Sequence, residues 1–138
     1  MTDPSGAALP PTVFVVDDDP AVRTALGRLL RSVGWSTRAF ASAVEVLQED
    51  LPPAGGCLIA DVHLGRMSGL ELLAALGTRP DSMPVILTSG VNDADMEREA
   101  SRLGALAFFR KPFDVSALLD SVRQGLDFES RKDGKPGS

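Results

Sequence analysis

Short apolar runs recur along this chain, and each is followed by a segment with helical periodicity. The runs lie at 13–16, 37–40, 57–61, 84–88 and 105–109. Most of them are nearly continuously apolar, which is typical of parallel strands that are buried on both faces. Strands that alternate with helices in this way favour a sheet covered by helices on both sides. The sequence therefore predicts an open, doubly wound α/β domain.

Residues with N-cap chemistry support the predicted helix starts. They are Asp19, Ser42, Asn92 or Asp93, and Asp114. Pro20 suits the first helical position after Asp19. A backbone N–H at that position has no partner within the helix, so proline loses no hydrogen bond there. Glu45 stands three residues after Ser42, the spacing of a capping box. These signals indicate where helices begin, but they leave the other boundaries open.

The length of 138 residues and the hydrophobic share of 43% fit one domain with a single core. We predict that this domain covers 12–127. A leader rich in Pro, Gly and Ala over 1–11 and a polar tail over 128–138 are expected to be flexible.

Charge and hydropathy exclude several functions. The net charge is −5 and no Lys/Arg run is present, so direct binding to nucleic acid is not expected. The sequence has neither a secretory signal nor an apolar run near the ~18 residues of a membrane span. We therefore expect a cytoplasmic protein without a membrane partner. Cys57, in an apolar run, is interpreted as a small buried hydrophobe.

Polar residues follow four of the five apolar runs at the points where they end. These residues are Asp17, Asp18, Asp61, Thr88, Ser89 and Lys111. The carboxyl ends of parallel strands meet at one edge of a sheet, where ligands bind in open α/β folds. We therefore expect these side chains to share one site.

Three carboxylates at one site repel one another unless a cation or a proton offsets their charge. An oxygen-seeking divalent ion, above all Mg²⁺, resolves the repulsion and suits chemistry at phosphorus. Alternatively, Asp19 is mainly a helix cap, and any one of the other acids alone is a solvated loop residue. Because the strand ends are expected to meet, it is improbable that Asp17, Asp18 and Asp61 are all merely solvated loop residues.

Four motifs resemble the receiver domains of two-component response regulators over about 12–127. They are the acids 17–19 after the first run, Asp61 with the segment 67–72, the segment 88–90, and Lys111 followed by Pro112 and Phe113. The resemblance implies a flavodoxin-like (βα)5 fold with a five-stranded parallel sheet of order 2-1-3-4-5.

By the same resemblance, Asp61 is the phosphoacceptor. It would take a phosphoryl group from a histidine kinase or a histidine phosphotransfer protein and form an aspartyl phosphate. Mg²⁺ would be held by Asp17, Asp18, Asp61 and the backbone carbonyl of His63. No turnover of an external substrate is expected, so the chain is predicted to be a switch and not an enzyme.

The remaining site residues are also carried by the resemblance. Lys111 would contact a phosphoryl oxygen, and its peptide bond to Pro112 is expected to be cis. Thr88 would be drawn towards the phosphoryl group and leave space for the switch aromatic Phe108, whereas Phe109 is expected to be a permanent core residue. The signal would appear on the surface of the fourth helix, fifth strand and fifth helix. A downstream effector outside this chain would bind there, and phosphorylation-dependent homodimerisation is left open.

One departure from the family pattern lies in the loop after Asp61. Receivers usually carry proline and glycine where this chain has Gly65 and Arg66. The lifetime of the phosphoryl group is therefore left open. The ring of His63 is interpreted as a variable loop side chain, since no other histidine is present to share a metal.

Two other classes remain as alternatives. An aspartate-nucleophile phosphatase would use Asp17 and Asp19, but that family expects Thr or Val where this chain has Ala21, and it needs a later acidic pair. A phosphorylation-independent adaptor would use the same fold only for binding. The complete set of acids, hydroxyl and lysine argues against the adaptor.

Overall fold

The computed structural model describes residues 11–49, 56–78, 83–91 and 93–133. Strands and helices alternate along this part of the chain. In order they are β1 (Thr12–Val16), α1 (Pro20–Ser32), β2 (Ser36–Phe40), α2 (Ala43–Gln48), β3 (Gly56–Asp61), α3 (Gly69–Gly77), β4 (Val85–Ser89), α4 (Ala94–Arg102), β5 (Ala107–Arg110) and α5 (Val115–Asp133). The predicted leader up to residue 10, the alternative cap Asn92 and the last five residues of the predicted tail lie outside the described residues.

All strand pairs are parallel, and the sheet order is β2-β1-β3-β4-β5. The predicted doubly wound fold and its strand order are therefore confirmed. β3 and β4 are buried along their whole length, whereas the edge strands β2 and β5 are largely exposed or half-buried. This contrast explains why the central runs are almost purely apolar, since helices cover both of their faces.

Alternate residues of each central strand pack against different helices. Val13 and Val15 of β1 join a core with α1 and α5, whereas Phe14 and Val16 join a core with α2, α3 and α4. Side chains alternate across a strand, so one apolar run contributes to two cores. None of the helices in the described part of the chain combines the length and hydropathy that a membrane crossing requires.

The predicted caps lie at the starts of their helices. Asp19 accepts a hydrogen bond from the N–H of Ala21, and Asp93 caps α4. Ser42 caps α2, but the carboxylate of Glu45 accepts from the N–H of Ala41 and not from that of Ser42. The predicted capping box is therefore only half formed, because the second bond closes one residue earlier.

The complete capping box lies at α3 and was missed by the sequence analysis. Ser68 accepts from the N–H of Glu71 at 3.1 Å, and Glu71 accepts from the N–H of Ser68 at 2.9 Å. The pattern of Ser followed three residues later by Glu is visible in the sequence. It fixes the start of α3 directly after the loop that follows β3.

Two boundaries differ by more than one residue from those predicted. The last strand starts at Ala107 and not at Ala105, because the N–H of Ala105 donates to the carbonyl of Ala100 and closes the end of α4. α5 runs to Asp133, six residues past the domain end predicted at 127. Its apolar stripe ends at Leu126, but no Pro or Gly interrupts the chain until Gly134, so the helix continues.

Candidate functional site

The carboxyl ends of β1 and β3 bring three acids together. Carboxylate oxygens of Asp17, Asp18 and Asp61 lie within 4.8 Å of one another. Asp17 and Asp61 are buried, with 2% and 7% of their surfaces exposed, whereas Asp18 is exposed. The cluster therefore has two carboxylates set into the sheet edge and one that faces solvent.

The loop after β1 and the first turns of α1 each hold Asp17 by one hydrogen bond. Its Oδ1 accepts from the N–H of Asp19 at 2.9 Å, and its backbone carbonyl accepts from Nη1 of Arg23 at 2.6 Å. Arg23 had no role in the sequence analysis, because an arginine in the first turns of a helix looks like a solvated cation. The structure shows it tied to the backbone of the acidic loop.

Asp61 is oriented by its own loop and by β4. Its Oδ1 accepts from the backbone N–H of His63 at 2.8 Å, whereas the His63 side chain is exposed. Asp61 pairs in register with Thr88, and the N–H of Val62 donates to the carbonyl of Thr88 at 2.8 Å. The end of β3 is therefore anchored to the end of β4 on both sides of the carboxylate.

Lys111 crosses from the end of β5 to the acids. Its Nζ lies 2.8 Å from Oδ2 of Asp61 and 3.1 Å from Oδ2 of Asp17. The N–H of Lys111 donates to the carbonyl of Ser89, and its peptide bond to Pro112 is cis, as predicted. One ammonium group thus bridges two carboxylates that are 44 residues apart in the chain.

Burial and charge oppose each other at these groups. Burial is the largest effect on Asp17 and raises the pKa of its carboxyl, although hydrogen bonds from Asp19 and Lys111 favour the charged form. Burial alone would lower the pKa of Lys111, but its hydrogen bonds to Asp61 and Asp17 outweigh that effect and raise it. Lys111 is therefore a permanent cation, and one positive charge faces three acids.

The other predicted site residues lie around this cluster at different depths. Thr88 and Ser89 are buried, with 2% and 0% exposed, and the Ser89 hydroxyl is engaged with the backbone of Val91. Phe108 is half-buried and packs against the core formed with α2, α3 and α4, outside the acidic cluster. Phe109, predicted to be a core residue, packs against the opposite core and is also half-buried, so it lies at the border of that core.

The loop after Asp61 is exposed at one end and closely packed at the other. Gly65 and Arg66 are exposed, and among the described residues none beyond the two chain neighbours has an atom within 4 Å of a Cβ built on Gly65. Gly69, by contrast, packs on the backbone of Asp61: a Cβ there would lie 2.4 Å from the Asp61 carbonyl oxygen. The departure from the family pattern therefore lies in the exposed part of the loop, away from the contact that supports Asp61.

The donor set at this edge fits a hard divalent cation. Three carboxylates supply oxygen ligands within one small volume, and one of them is open to solvent. Lys111 offsets only part of their charge, so a cation would lower the remaining repulsion. At the same edge, a hydroxyl and an ammonium group that can donate hydrogen bonds to an anion lie near a carboxylate.

Comparison with known proteins gives the family. The profile of the response regulator receiver domain matches residues 13–123. The transcriptional regulatory protein TdiR of Thauera aromatica is 41% identical over 115 residues, which cover 83% of this chain and 51% of TdiR. The transcriptional regulatory protein FixJ of Azorhizobium caulinodans is 42% identical over 114 residues, which cover 83% of this chain and 54% of FixJ. The chain spans about half the length of these curated relatives.

Solved structures of response regulators resemble this chain in fold. The response regulator StyR superposes with a TM-score of 0.83 at 40% identity, covering 90% of this chain and 63% of the StyR chain. The FixJ-N structure gives a TM-score of 0.75 at 31% identity, with 84% and 93% covered. Fold, strand order and sequence thus agree with one another. The chain belongs to the response regulator receiver domain family, the receiver part of a two-component regulator.

Proposed function

We propose that this receiver domain accepts a phosphoryl group on Asp61 in a Mg²⁺-dependent reaction and passes the signal through α4, β5 and α5. The observation that carries the proposal is the contact of Lys111 with Oδ2 of Asp61 at 2.8 Å, beside two further carboxylates. A nucleophilic carboxylate, an ammonium group for the phosphoryl oxygens and a set of metal ligands meet at one edge.

The bonds that form and break in the transfer involve only the donor and Asp61. A carboxylate oxygen of Asp61 attacks phosphorus, the bond from phosphorus to the donor histidine nitrogen breaks, and that nitrogen keeps the electron pair. On Oδ2, the new phosphoryl group would lie next to Nζ of Lys111. Oδ1 would stay oriented by the N–H of His63, so the carboxylate need not rotate.

Asp17, Asp18 and Asp61 would hold the metal, with the backbone carbonyl of His63 as the fourth proposed ligand. When bound, Mg²⁺ supplies charge that offsets both the acids and the phosphoryl oxygens. The exposed position of Asp18 leaves one side of the cluster open to solvent and to a donor.

The proposed switch begins at Thr88. Its buried position next to Asp61 in the sheet register lets its hydroxyl donate to a phosphoryl oxygen after a short movement. Phe108 lies in register with Leu87 on the adjacent strand and would move into the vacated space. Ala100 is the one fully buried residue of α4, so a shift of this helix would disturb few deeply buried contacts.

The partners follow from the family and stay proposals. The donor would be a histidine kinase or a histidine phosphotransfer protein. Because the relatives named above are transcriptional regulators about twice as long, the output would be an effector domain or a separate effector that contacts the α4, β5 and α5 surface. A cytoplasmic location is proposed on the same basis.

Labelling with acetyl phosphate tests the proposal. Incubation with acetyl phosphate and Mg²⁺ should add about 80 Da to the wild-type chain, one phosphoryl group, as seen by intact mass spectrometry at neutral pH. Asp61→Asn should abolish the addition, and omission of Mg²⁺ should greatly reduce it.

Asp19→Asn is the matched control, since it removes a neighbouring acid that caps α1 and Asn is an equally good cap. It should be labelled like the wild type. Absence of labelling in the wild type would favour the phosphorylation-independent adaptor, and labelling that persists in Asp61→Asn would place the acceptor elsewhere.

A further inference from the structure

A basic groove lies between α1 and β2, and none of the three clustered acids lines it. Its volume is about 280 Å³. It is lined by three small or apolar residues, Val15, Gly27 and Ala39, and by four residues with hydrogen-bond donors, Arg23, Thr24, Arg31 and Thr37. None of the described residues that line the groove is acidic, although the chain as a whole has a net charge of −5.

Two arginines converge on the groove because of helical spacing and a glycine. Arg23, Gly27 and Arg31 are four residues apart in sequence and therefore share one face of α1. Long side chains on a helix point towards its N-terminus, which directs Arg31 back along α1. Its Nη1 lies 3.0 Å from a Cβ built on Gly27, so the guanidinium group rests where any other residue would have a side chain.

The charges of both arginines are unpaired within the described residues. Nη1 of Arg23 donates to the carbonyl of Asp17, and Nη1 of Arg31 donates to Oγ1 of Thr37 at 2.9 Å, both neutral oxygens. By contrast, five other arginines each form an ion pair with a carboxylate. They are Arg38, Arg98, Arg102, Arg110 and Arg123. Each guanidinium has five N–H donors, so most of those on Arg23 and Arg31 remain for a ligand.

We propose that this groove binds a small oxyanion of the phosphate class. Guanidinium groups suit the oxygens of phosphate, and threonine hydroxyls add further donors. A volume of 280 Å³ holds several waters at about 30 Å³ each, or one such anion. The proposal does not depend on phosphorylation of Asp61, since the groove is built from α1 and β2.

Titration with inorganic phosphate tests the site. The 138-residue chain, uniformly labelled with ¹⁵N, is titrated at constant ionic strength with EDTA present, and amide shifts are followed by NMR. Saturable shifts are expected at Thr24, Gly27 and Thr37. Arg31→Gln should weaken the affinity about tenfold, the effect of losing charge-assisted hydrogen bonds. Gly27→Ala should also weaken it, since the added methyl displaces the Arg31 guanidinium.

Arg28→Gln is the matched control, because it removes the same charge from an exposed position of the same helix outside the groove. Its affinity should stay within about twofold of the wild type. Arg31→Lys keeps the charge and should bind between wild type and Arg31→Gln, which separates lost recognition from a folding defect. Equal weakening by Arg28→Gln, shifts confined to the surroundings of Lys111, or the same shifts with chloride would overturn the proposal.

Discussion

At the scale of single residues, burial disfavours the charged form of Asp17, and the positive charge of Lys111 favours it. Asp17 is nearly fully buried, and burial is the main reason why the pKa of its carboxyl is raised. Lys111 lies between Asp17 and Asp61 and offsets part of that cost. A carboxyl whose pKa is higher in the folded than in the unfolded state destabilises the fold as the pH rises.

Asp17→Asn should therefore stabilise the metal-free protein at neutral pH, by an amount on the order of 1 kcal/mol. Lys111 keeps Asp61 as a partner, so no buried charge is left unpaired. The gain in stability of Asp17→Asn over the wild type should vanish near and below about pH 4, where the carboxyl is protonated even in the unfolded state. It should grow as the pH rises. Urea unfolding in EDTA from pH 4 to 7 measures it.

Asp127→Asn, the same change at an exposed residue of α5, serves as the control and should alter stability little. A wild type that is more stable than Asp17→Asn at pH 7 would contradict this account of the site.

At the scale of elements, the start of α3 supports the end of β3 at Asp61. The N–H of Gly69 donates to the carbonyl of Val62 at 2.8 Å, and the capping box of Ser68 and Glu71 holds the first turn. Gly69 has no side chain, and this lets α3 approach the backbone of Asp61. A helix end thus sets the position of the carboxylate.

Gly69→Ala should force α3 and β3 apart, because the new methyl would meet backbone atoms that cannot rotate away. We expect a loss of about 1–3 kcal/mol in unfolding free energy, the cost of overpacking, and slower labelling by acetyl phosphate. Thermal unfolding and the labelling assay measure the two effects.

Gly77→Ala, at the other end of α3, is the control. A Cβ there meets no other described part of the chain within 4 Å, so alanine should be neutral or slightly stabilising. If both variants lose stability equally, close packing at Gly69 is not the cause.

At the scale of the whole molecule, folding itself assembles the acids. Asp17 and Asp61 come from strands that pair in the sheet, and Lys111 arrives from the end of β5. The unfolded chain has no such cluster, so a cation that binds it stabilises only the folded state.

Mg²⁺ should therefore raise the unfolding free energy, by about 2.7 kcal/mol at one hundred times its dissociation constant. Asp18→Asn should lose most of this gain, whereas Asp19→Asn should keep it, since Asp19 caps α1 outside the cluster. Urea unfolding with and without Mg²⁺ gives the comparison. An equal gain in both variants would indicate non-specific binding of the ion.

Much of this protein was readable from its sequence. The buried central strands, the caps Asp19 and Asp114, and the strand order implied by the receiver motifs all agree with the structure. Periodicity and capping depend on residues close together in the chain, so both can be recognised in a single sequence. The strand ends at Asp17 and Asp61 then indicate one site, because parallel strands place their carboxyl ends at the same edge.

Tertiary structure alone decided the contacts between distant segments. The link from Arg23 to the acidic loop, the packing of Gly69 on Asp61 and the groove shaped by Gly27 depend on how close two elements approach. That approach is set by the joint packing of both cores, and no local pattern records it. The sequence by itself thus determined which chemical groups reach the sheet edge, and the packed fold determined their distances and support.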